Sequence, residues 1–101
     1  MHLVQILLPR TDNSGRPFRE QEFDKVKEEL AREFDGVTAY LRAPAEGLWK
    51  QGQNASHDDI VIFEVMADEM SLDRWRERRR ALELRFRQDR VVIRYMSMAL
   101  V

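Results

Sequence analysis

The chain contains no cysteine, which excludes disulfides, thiolate metal sites and cysteine nucleophiles together. Histidine is nearly missing too. His2 and His57 are the only two, and neither stands in a His-x-His or Glu-x-x-His spacing that would gather ligands round a metal. Gly-rich phosphate loops, Gly-x-Ser-x-Gly elbows and His-Glu-x-x-His helices are absent. No apolar run approaches the ~20 residues of a membrane-spanning helix. Met1 through Leu8 is too short for a secretory core and is followed directly by Pro9, Arg10 and Asp12. A net charge of −1 leaves no global field to recruit nucleic acid or anionic lipid. These absences predict a cytoplasmic protein with no membrane segment, no metal and no cofactor.

What is present is a chain of 101 residues, 44% of them hydrophobic. That is enough for one domain over residues 1–101 with one core between two layers. The charges are segregated. Residues 1–70 hold 8 basic and 14 acidic side chains, a net of −6, while residues 71–101 hold 9 basic and 4 acidic, a net of +5. All nine of those basic residues are arginine.

Hydrophobic periodicity alternates between two kinds. His2–Leu8 is a short β-branched run stopped by Pro9, and Thr11–Gly15 is turn chemistry. Phe23, Val26, Leu30 and Phe34 recur at helical spacing and predict a helix over 19–34. Gly36 follows as a left-handed cap. Val37–Arg42 alternates as a second strand, and a connection of about 16 residues carries Trp49 before a third strand over Ile60–Met66. Asp68 is placed as the N-cap of a second helix over 69–87, with Leu72, Trp75, Leu82 and Phe86 as its stripe and Arg79 interrupting it. Val91–Met96 is the fourth strand. The order β-α-β-β-α-β predicts an α+β, ferredoxin-like sandwich: a four-stranded antiparallel sheet with two helices on one face.

Alternation along the strands sorts the sheet into two faces. The helix-covered face takes Val4, Ile6, Leu8, Val37, Ala39, Leu41, Val61, Phe63, Val65, Val91 and Ile93, all apolar. The opposite face takes Leu3, Gln5, Leu7, Thr38, Tyr40, Arg42, Ile60, Ile62, Glu64, Met66, Val92, Arg94 and Met96. A sheet face in water should be mostly polar, and this one is about half apolar. Such a patch marks an interface or a ligand surface.

Two readings follow. In the first, the open face packs on a second copy, a homodimer in which the apolar tail Met98–Val101 also meets a partner. In the second, a small-molecule pocket lies between the open face and the 43–58 loop, as in a small-molecule binding protein or enzyme. Tyr40, Arg42, Trp49, Glu64 and Arg94 would be its ligand-binding residues, an apolar site with a few convergent polar groups. A desolvated Glu64 would then titrate high enough to act as acid or base. Against that stands an ion pair from Glu64 to Arg94 or Arg42 on neighbouring strands. His57-Asp58-Asp59 reads as a solvated turn rather than a metal site.

The arginine-rich second helix invites a nucleic-acid reading, since the RNA-recognition motif shares this fold. That motif needs aromatic rings on the two central strands of the open face, and Leu3, Gln5, Leu7, Ile60, Ile62 and Glu64 include none. Together with Glu77 and Glu83, the arginines read as a salt-bridged helix exterior.

Five short segments carry a family resemblance: Gly36-Val37-Thr38, Glu46-Gly47-Leu48-Trp49, Asp59-Ile60-Val61, Arg85-Phe86-Arg87-Gln88 and Val91-Val92-Ile93. They resemble small bacterial proteins of ferredoxin-like fold. The layout is similar to the dimeric α+β-barrel superfamily, which includes antibiotic-biosynthesis monooxygenases and chlorite-dismutase relatives. The resemblance implies the fold and a homodimer. It transfers no activity, and the small-molecule reading resembles a cofactor-free monooxygenase or isomerase. Haem-binding members use a histidine ligand, and neither His2 nor His57 stands in a matching motif.

Overall fold

The protein's computed structural model describes residues 1–42 and 60–101. Its elements are β1 (His2–Pro9), α1 (Glu20–Glu33), β2 (Val37–Arg42), β3 (Ile60–Ala67), α2 (Leu72–Arg85) and β4 (Val92–Ser97). The strands form one sheet in the order β2-β3-β1-β4, with every neighbouring pair antiparallel. This is the ferredoxin-like sandwich that the periodicity predicts.

The core lies between the sheet and the helices. Val4, Ile6 and Leu8 of β1 and Phe63 and Val65 of β3 are buried beneath Val26 and Leu30 of α1 and Trp75, Leu82 and Phe86 around α2. Phe18, just before α1, meets Phe86 edge-on at 5.0 Å, and Phe34 stacks on Trp75 at 5.5 Å. These ring contacts join both helices to each other and close the two ends of the core. The outer strands reach past the helices. Ala39, placed on the covered face by its alternation, is exposed because β2 is an edge.

Between β1 and α1 the chain makes a small hairpin. Asp12 Oδ1 accepts from the backbone N–H groups of Ser14 (2.8 Å) and Arg16 (2.9 Å). Gly15 supplies the left-handed residue at φ 83°.

The helix ends differ from expectation in three places. Ser71, not Asp68, caps α2, its hydroxyl accepting from Arg74 N–H at 3.5 Å. The reason is that β3 runs on to Ala67 and the chain bends before the helix can start. Gly36 is no left-handed cap. The chain leaves α1 through an extended Phe34 at φ −118°, and Gly15 is the glycine with positive φ among the described residues. Leu72 is exposed rather than on the buried stripe of α2, which runs through Trp75 and Leu82.

Candidate functional site

Strand register converts the open face into rows. Glu64 lies opposite Gln5 on one side and Thr38 on the other, and Gln5 lies opposite Arg94, so one row runs Thr38–Glu64–Gln5–Arg94 across all four strands. The adjacent row toward the start of β4 is Tyr40–Ile62–Leu7–Val92, and the row on the other side is Met66–Leu3–Met96. A single polar line is therefore flanked by two apolar ones.

The polar line is hydrogen-bonded within itself. The Arg94 Nε–H donates to Gln5 Oε1 at 2.7 Å, and Gln5 Nε2 donates to Glu64 Oε2 at 2.8 Å. Gln5 is only 9% exposed, and both ends of its amide are used. This satisfies the rule that buried polar groups be paired. The charged ends make the chain directional, with the guanidinium at the β4 edge and the carboxylate beyond the centre on β3.

The flanking rows are largely uncovered. Tyr40 is 39% exposed, Met66 44%, Val92 46% and Met96 50%. Ile62 is buried, although it stands outside the main core cluster.

Of the residues expected to form the site, Glu64 and Arg94 are brought into one line and Tyr40 stands one row away. Arg42 occupies an open-face register position opposite Ile60 at the edge of the sheet, away from Glu64. Trp49 and the 43–58 loop lie outside the described residues, as does His57-Asp58-Asp59. The expected direct pair between Glu64 and Arg94 is replaced by a bridged one, because β1 lies between β3 and β4. Gln5, the bridging residue, was missed as a site residue. Its signal is the lone amide in the apolar run Leu3-Val4-Gln5-Ile6-Leu7, whose meaning depends on the strand order.

The arginines of α2 have other business. Arg78 pairs with Glu33 of α1 and lies over the Trp75 ring at 4.7 Å, and Arg85 pairs with Glu29 at 2.7 Å. These two partners lie on the other helix, so part of the segregated charge is paired between the helices, while Arg76 pairs with Asp73 at 3.2 Å within α2. The groove between the helices, about 340 Å³, is lined by the two inter-helix pairs over Val26, Leu30 and Leu82. Arg79 stands 3.8 Å from Glu83, whose carboxylate accepts from Val91 N–H at 3.0 Å.

His2 stands edge-on to Tyr95 at 5.9 Å on the helix side of the sheet. Among the described residues no three metal-ligating side chains converge, and no helix is long and apolar enough to cross a membrane.

Fold and site together define a ferredoxin-like α+β sandwich with an open sheet face carrying one polar line. Comparison with family models, with curated proteins and with solved structures gives no match for this chain.

Proposed function

We propose that the chain is a self-associating module, and that its open sheet face packs on the open face of a second copy. The observation that carries this reading is the Arg94–Gln5–Glu64 line. Burying a polar group without a partner costs about 1–3 kcal/mol or more. Here the central polar side chain already has its partners inside one copy, so the face can be covered without stranding it. The apolar rows on either side supply the gain on burial, at about 25 cal/mol per Å² of apolar area removed from water.

Light scattering across a hundredfold dilution tests this. The expected mass is twice 12.1 kDa. Val92→Lys places a charge on an exposed position of the flanking row and should return the mass to that of one chain, with the circular dichroism spectrum unchanged. A wild-type chain that stays at 12.1 kDa at every concentration removes the reading. The exposed rows would then be a surface for a small apolar ligand.

A further inference from the structure

We infer that the two copies stack about a two-fold axis running along the strands, so that Arg94 of each copy meets Glu64 of the other. This rests on the self-association proposed above and adds to it the orientation and the pairing.

Two sheets packed face to face in the aligned manner keep their strands within about 30° of each other, and a two-fold axis between them can run along the strands or across them. The polar line decides between these. It is antisymmetric, with positive charge on the β4 edge strand and negative charge on β3, on the far side of the sheet's centre. An axis across the strands along this line would set Arg94 on Arg94 and Glu64 on Glu64, and like charges juxtaposed in an interface are unfavourable.

An axis along the strands, between β1 and β3, reverses the line end for end. β4 of one copy then lies over β2 of the other, and β1 lies over β3. Arg94 is already drawn inward toward β1 by its bond to Gln5. Its guanidinium then stands above the Glu64 of the second copy, and the same contact repeats by symmetry. Each row also falls on its own counterpart: Tyr40–Ile62–Leu7–Val92 meets itself, and Met66–Leu3–Met96 meets itself. Apolar rows face apolar rows and the charged line faces its reverse, which is the self-complementarity an isologous interface requires.

The absence of native cysteine makes the orientation readable by crosslinking. An equal mixture of Val92→Cys and Tyr40→Cys chains is treated with a short bismaleimide, beside an equal mixture of Val92→Cys and Met96→Cys. All three positions are exposed, so the fold should tolerate the changes, and light scattering confirms the mass of each mixture. With the axis along the strands, Val92 lies over the second copy's Tyr40. The first mixture should then give at least tenfold more mixed crosslinked dimer than the second. With the axis across them, Val92 lies over Met96 of the second copy and the ratio inverts. Inversion, or crosslinking of neither mixture at full dimer mass, overturns the orientation and leaves the dimer standing. A monomer mass for the wild-type chain overturns both.

Discussion

Asp12 shows how much one short side chain can hold in place. Its carboxylate accepts from two backbone N–H groups of its own hairpin and lies 3.9 Å from Arg87. The bond from Arg16 N–H does most to hold its pKa below the usual carboxylate value. Desolvation, the next largest effect, opposes it, while the bond from Ser14 N–H and the charges of Arg87 and Arg16 add to the lowering. A pKa depressed by folding means that the unfolded chain takes up the proton more readily. The contribution is therefore present above the unfolded value, about 3.9 for aspartate, and is lost as pH falls through that value toward the lower folded one. Asp12→Asn keeps an oxygen that can accept both N–H groups and removes only the charge. The variant should be less stable than wild type near neutral pH, and the two urea-unfolding curves should converge as pH falls below about 4. Curves that stay parallel down the acid limb would remove the charge from this account.

At the scale of elements, the end of α2 carries the most specific expectation. Arg87 N–H bonds to Leu84 O at 3.3 Å and Gln88 N–H to Glu83 O at 2.9 Å, the paired bonds of a helix closing through a left-handed residue. That residue is Arg87 at φ 49°, the one non-glycine with positive φ among those described. Its Cβ makes the conformation unfavourable by about 1 kcal/mol. Replacing it by glycine or by alanine loses the same contacts with Phe18 and Asp12, so the difference between the two variants reads the backbone alone. Arg87→Gly should be more stable than Arg87→Ala by about 1 kcal/mol in urea titration, and equal stabilities would contradict the left-handed turn. Nothing local announced this end, since the sequence around Arg87 offers no glycine. The strands, by contrast, were legible: period-two alternation depends on each residue's own face, and Val37–Arg42 runs as expected. The open-face rows were legible in composition but not in connection. Whether Glu64 reaches Arg94 depends on which strand lies between them, and Gln5 acquired its meaning only from the order β2-β3-β1-β4. Pairing between Glu29 and Arg85 or Glu33 and Arg78 likewise depends on helix packing, whereas pairing within α2 was legible from spacing and is present between Arg79 and Glu83.

For the whole molecule, covering the open face with a second copy, as proposed, would couple folding to concentration. One copy leaves Val92, Met96, Met66 and Tyr40 in water, and the proposed dimer would gain by covering them what the unfolded chain cannot. Mass action then makes stability depend on protein concentration, as for anything that binds the native state alone. When a dimer unfolds to two chains, a tenfold rise in concentration adds about 1.4 kcal/mol per dimer, or about 0.7 kcal/mol per chain. A domain of this size shifts its melting temperature by roughly 4–8 °C per kcal/mol, so each tenfold rise should lift Tm by about 3–6 °C. Val92→Lys, which sets a charge against the second copy's Tyr40 row, should flatten that dependence, its Tm being the same at every concentration. The slope separates two effects that a single melting curve confounds. Loss of a core contact lowers Tm in parallel at all concentrations, whereas loss of the face-to-face contact abolishes the slope itself. A wild-type Tm independent of concentration over two decades would mean that the face is not closed by a second copy. Its polar line, already bonded from Arg94 through Gln5 to Glu64, would then be a means of ordering the sheet in one copy rather than of joining two.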